Sequence, residues 1–142
     1  MREIEFRGKE LNPDSFHYVD WCYGSLVYSP SEDQYYIVEH CDEELSFPVS
    51  KITIGQYTGQ KDKNGTKIFG DDIVIICGDV EDIAVINWDN DCAMFTILQD
   101  DVIYNFDQYY GRELEVIGNI HDNPELLEMA EIKNKNGGND ET

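Results

Sequence analysis

Hydrophobic and polar positions alternate in short runs along most of this chain. Glu3-Ile4-Glu5-Phe6-Arg7 has the period of two expected of a half-buried strand. Residues 18–28 and 34–41 read as two further strands, and Ser29-Pro30-Ser31-Glu32-Asp33 between them has turn chemistry, so the three segments predict a hairpin. Residues 42–50, with Pro48 inside them, read as a connection. Between Ile52 and Phe69, Asn64-Gly65 predicts a tight hairpin with a type I′ turn, because that turn needs positive φ at both central residues. Strands are then predicted over 72–77, 83–88, 92–98, 102–106 and 114–121, with turns at Gly78-Asp79, Asp89-Asn90-Asp91 and Gln99-Asp100-Asp101. Short strands at intervals of about ten residues, joined by tight turns, suggest a small barrel or sandwich. One short helix is predicted at the end. Asn123 caps it, Pro124 takes the first helical position, and Leu126, Leu127 and Ala130 form its apolar face. Residues 133–142 show no periodicity and are expected to be disordered.

The expected architecture is therefore mostly β. It comprises an N-terminal β unit over 1–50, a hairpin connection over 51–70 and a small SH3-like β-barrel over 71–132 that carries the helix. Composition agrees, since aromatic residues make up 12% of the 142 residues and suit a pleated, half-buried surface. No apolar run reaches the roughly 20 residues of a membrane span. The N-terminal MREIEFRGKEL lacks the apolar core of a secretory signal, so a cytoplasmic location is expected.

Charge narrows the partners. Ten basic and thirty acidic side chains give a net charge of −20, which leaves few cations to neutralise duplex DNA and repels anionic membrane surfaces. The charge is uneven. Lys51, Lys61, Lys63 and Lys67 form a basic island, whereas residues 71–132 hold only Arg112 against sixteen acids. The island with Tyr57 and Phe69 could form a basic-aromatic nucleic-acid patch, but solvation of a hairpin fits the overall charge better.

Candidate chemistry is sparse. Cys22, Cys41, Cys77 and Cys92 form no C-x-x-C pair and read as free thiols, and a zinc site from His17, Cys22, His40 and Cys41 matches no ligand spacing. Asp89, Asp91, Asp100 and Asp101 invite a calcium site, yet the segment after Asp89 lacks the third ligand and the glycine of an EF-hand. Turn chemistry accounts for them. No nucleophile elbow, P-loop or dinucleotide fingerprint occurs, so no cofactor and no catalytic residue is assigned. Tyr35, Tyr36, Tyr57, Tyr109 and Tyr110 are candidate partner contacts, since tyrosine is enriched in interfaces.

Three segments are more particular. GQYTGQKDKNGTKIFGDDIV at 55–74, VINWD at 85–89 and LEVIGNIHDNPELL at 114–127 resemble, in order, the YopX family of small phage and prophage proteins. Phe6-Arg7-Gly8-Lys9 and Trp21-x-Tyr23-Gly24 are similar to the family's start. Gly59, Asn64, Gly65, Asp72, Trp88, Gly118, Asn119 and Pro124 carry the resemblance as structural motif positions. Where the family usually has Glu-Gly-Asp, this chain has Gly70-Asp71-Asp72. The resemblance implies a β-rich fold and the cytoplasm of a bacterial host, and it supplies no catalytic residues. The leading expectation is a non-catalytic accessory protein that binds another protein or itself, as a homo-oligomer. An acidic decoy imitating nucleic acid is the alternative, and an enzyme comes third.

Overall fold

The structure, a computed structural model, describes residues 3–11, 20–40, 44–106 and 113–128. The chain divides into two compact units, Met1–Gly59 and Gln60–Thr142. The division falls inside the segment read from sequence as a connection. The sequence-predicted tail at 133–142 and the end of the helix lie outside the described residues. Among the described residues no helix is long and apolar enough to cross a membrane.

In the first unit β1 (Phe6–Lys9), β2 (Trp21–Ser29), β3 (Gln34–His40), β4 (Glu44–Val49) and β5 (Gly55–Lys61) form an antiparallel sheet in the order β4-β3-β2-β1-β5. The sequence placed β2, β3 and their turn correctly. It took β4 for a connection because of Pro48. The Pro48 carbonyl accepts the Leu11 N–H at 3.0 Å, on the side away from β3. A residue's nitrogen and carbonyl face the same edge of a strand, so the missing proline donor takes nothing from the β3 ladder. The same contacts curl the sheet. Glu10 bridges Val49, and Ser50 N–H donates to the Lys9 carbonyl at 2.8 Å, so the end of β1 returns to the end of β4.

Alternation then sets the core. Cys22, Ile37 and Val49 are fully enclosed, with Phe6, Leu26, Tyr35, Phe47 and Ile54 packed around them. Gly24 pairs with Phe6 across β1 and β2. A Cβ there would collide with the backbone of Val38, so only glycine fits.

In the second unit β5 runs on past Gly59 to meet β6 (Lys67–Phe69). The remaining strands are β7 (Asp72–Ile76), β8 (Asp79–Asp89), β9 (Met94–Gln99), β10 (Val102–Asn105) and β11 (Leu114–Asn119), in the antiparallel order β10-β9-β8-β7-β11. The β class is as expected. In place of a ring, however, the described residues form an open five-stranded sheet whose edges are β10 and β11. The core side presents Val74, Ile76, Ala84, Ile86, Ile97 and Leu114, with Ile68 from β6. Helix α1 occupies 124–128, beginning at Pro124 as predicted.

The type I′ turn is not where the sequence suggested. Gly65 N–H donates to the Asp62 carbonyl at 3.0 Å, and Asn64 is not among the residues with positive φ. Asp62-Lys63-Asn64-Gly65 is therefore a type I turn, and Gly65 follows it at φ +83° as the bulge residue of a three-residue loop. Positive φ at consecutive central residues occurs instead at Cys77-Gly78, between β7 and β8, and at Asp100-Asp101, between β9 and β10.

Candidate functional site

The residues singled out by the sequence fall into three sets in space. The first surrounds Asp62, a buried carboxylate. Its Oδ1 accepts the N–H groups of Asn64 at 2.9 Å and Thr66 at 2.8 Å, and its Oδ2 accepts that of Val116 at 2.9 Å. One side chain thus shapes the hairpin loop and ties it to β11. Asn64 extends the tie through Nδ2 to Glu115 at 3.3 Å, and Lys63 faces the same carboxylate at 3.4 Å. Sequence reasoning counted Asp62 only as a charge. The signal for it was present, since Asp at the first and Gly at the fourth position mark a type I turn.

The second set surrounds Asn119. Its Oδ1 accepts the N–H groups of His121 at 3.0 Å and Asp122 at 2.9 Å, and its own N–H donates to Asn123 Oδ1 at 3.2 Å. Gly118 is required beside it, because a Cβ would collide with the Asn123 side chain. Asp72 is enclosed and accepts the Phe69 N–H at 2.8 Å, closing the turn into β7. Asp71 stands where the family usually has glycine and holds φ +72°, which glycine would adopt freely. Three contacts hold it there. Its N–H donates to Ile86, its carbonyl accepts from Ile120, and its carboxylate lies 3.1 Å from His121 Nε2.

These polar motif residues are engaged by backbone groups of their own unit. The same holds for the aspartates weighed as cation ligands. Asp89 Oδ1 accepts the N–H groups of Asp91 at 2.9 Å and Cys92 at 3.2 Å. Among the described residues no three His, Cys, Asp or Glu side chains are grouped to hold a metal ion. Cys22, once weighed as a zinc ligand, is enclosed in the first core. Burial, and after it Glu39, Glu10 and Asp20, push its thiol up to about 12, so it stays protonated. His17 and Cys41 lie outside the described residues.

The third set is apolar and outward-facing. In the first unit Val27, Tyr36 and Pro48 are opposite one another across β2, β3 and β4, on the face away from the core. Tyr36 is half-buried and its hydroxyl donates to Glu32, which raises the phenol's pKa. Tyr35 points the other way. It packs on the first core, 4.7 Å from the Tyr28 ring, with Lys51 Nζ at 5.9 Å. Tyr57 is 5% exposed and presents no surface ring, contrary to its reading as a partner contact. Tyr109 and Tyr110 lie outside the described residues.

In the second unit Ile103, Leu98, Val85 and Ile73 form one row across β10, β9, β8 and β7. Exposure falls along the row, from 58% at Ile103 and 36% at Leu98 to none at Ile73. Val102, 47% exposed, is on the other face of β10. Trp88 is at the rim of the core side, edge-on to Phe95 at 5.0 Å, with its Nε1 donating to Asn90 at 2.8 Å. Sequence reasoning missed the Leu98–Ile103 pair. A short alternating run shows that one face is buried, but not which one.

Comparison with known proteins gives the following. The chain matches the YopX family, described as YopX protein, over residues 5–128. No curated protein matches it. The crystal structure of protein EF1440 from Enterococcus faecalis is similar in fold, with a TM-score of 0.52 and 21% identity, covering 89% of this chain and 99% of that one.

Proposed function

Since this chain belongs to the YopX family, matched from residue 5 to residue 128, we propose that it is a non-catalytic phage accessory protein that works by binding protein. The observation that carries the reading is the contrast between its polar and apolar groups. Asp62, Asp72, Asp89 and Asn119 are committed to backbone N–H groups, which leaves them holding turns. Large apolar side chains meanwhile sit opposite one another on outward faces, Val27 beside Tyr36 and Leu98 beside Ile103. Directly opposed apolar pairs on a sheet make a flat, partly dehydrated surface, the kind that protein interfaces use at their centres. The partner is another protein or a second copy of the chain.

The test is comparative capture. The immobilised chain and two variants, Val27→Asp and Leu98→Asp, are exposed to the same bacterial lysate, and bound proteins are identified by mass spectrometry. A protein retained by the parent and lost from one variant supports the reading. Identical capture by all three chains counts against it. Light scattering across a wide concentration range separates self-association, which raises the mass, from a foreign partner, which does not.

A further inference from the structure

The surroundings of the Leu98–Ile103 pair say what kind of partner it suits. The two side chains are on adjacent strands at directly paired positions, and Val85 continues the row inward. The β9–β10 hairpin that presents them turns through Asp100 and Asp101. Residues 71–106 contain nine carboxylates and no lysine, arginine or histidine. The turn at the end of this apolar row thus carries two adjacent carboxylates, within a strongly acidic stretch.

Resting on the protein-binding reading, we infer that the β9–β10 hairpin takes a cationic segment of another protein, with aliphatic side chains on the Leu98–Ile103 row and Lys or Arg beside the Asp100-Asp101 turn. Charge chooses between the occupants. A second copy of the chain brings a further −20 and is repelled, whereas a basic segment is drawn in. The aliphatic row distinguishes this partner from a purely electrostatic one, which would need only the carboxylates. Burial of Leu98 and Ile103 supplies an attraction that salt does not screen, and the aspartates supply one that it does.

The experiment uses the full chain and three labelled heptapeptides, read by fluorescence anisotropy: alternating Lys-Val, alternating Lys-Ser and alternating Glu-Val. Lys-Val should bind, Glu-Val should not, and Lys-Ser should bind at least tenfold more weakly than Lys-Val. A double variant, Leu98→Ser with Ile103→Ser, should lose tenfold or more for Lys-Val. A second one, Asp100→Asn with Asp101→Gly, preserves the turn by putting Asn-Gly at its centre. It should weaken binding and flatten its dependence on salt. Equal binding of Lys-Val and Lys-Ser, unaffected by the Ser variant, would replace the inference with a charge-only surface of the nucleic-acid-mimicking kind. Failure of Lys-Val to bind at all would overturn it too. Lysate capture that still depends on Leu98 would then leave the protein-binding reading standing with a different partner chemistry.

Discussion

Asp62 and Cys22 show how far a single side chain's meaning depends on what surrounds it. Asp62 receives three backbone N–H groups, one of them from Val116. Hydrogen bonds to a charged acceptor contribute roughly 1.5–3 kcal/mol each, and donors stranded by its removal recover part of that from water. Asp62→Ala is expected to destabilise the protein by about 3 kcal/mol, read as a lower urea midpoint. A midpoint shift worth under about 0.5 kcal/mol, the size of an ordinary surface substitution, would show that the loop does not need its carboxylate. Cys22 gives a pH dependence. Its pKa rises from 9.0 in the unfolded chain to about 12 in the fold, chiefly by burial. Below 9.0 the thiol is neutral in both states and its contribution is complete. Between 9.0 and about 12 only the unfolded chain ionises, so stability falls as pH rises through that window. The parent should therefore lose more stability than Cys22→Ala between about pH 8 and about pH 10.5, measured by urea denaturation, because ionisation of this thiol is absent from the variant. Equal losses would mean that Cys22 ionises as readily folded as unfolded.

At the scale of the element, the turns separate propensity from conformation. Asn64-Gly65 is the strongest short hairpin signal in the chain, yet it serves a type I turn with a glycine bulge, because Asp62 is placed to bond the N–H groups of Asn64 and Thr66. The true type I′ turn at Asp100-Asp101 uses two residues for which positive φ is costly. Left-handed backbone costs a residue with a Cβ about 1–2 kcal/mol, less for Asp and Asn. Replacing Asp100-Asp101 by Asn-Gly is therefore expected to raise stability by about 1 kcal/mol, visible as a higher melting temperature. No change would imply that the acidic pair already pays no strain there. Gly65 offers the opposite case. Apart from its chain neighbours, no atom lies within 4 Å of the position a Cβ would take, so its substitution is opposed by φ +83° and not by packing. Gly65→Val should destabilise by about 1–2 kcal/mol, and Gly65→Asn by clearly less. Equal effects of the two would point to packing and not to backbone conformation.

For the whole molecule, charge is the dominant property. A net −20, with sixteen acids to one arginine over 71–132, repels phosphate overall. No retardation of a random DNA duplex is expected near physiological salt in a gel-shift assay, and retardation at low micromolar protein would make the lysine island functional. That charge, the β class, the β2–β3 hairpin, the strands of the second unit and the start of α1 at Pro124 were all determined by the sequence itself. Period-two alternation, turn residues and net charge are local or additive, so they can be read without knowing what any segment touches. Other features were decided only by the tertiary structure. Pro48 is a strand residue because its nitrogen faces away from β3, and Leu11 bonds to its carbonyl. Asp62 is a structural anchor because Val116, 54 residues away, comes within 2.9 Å of it. Leu98 and Ile103 form a surface because the face of their hairpin away from the second core is left open at β10. Each of these depends on which distant segments meet, and short-range periodicity carries no information about that choice.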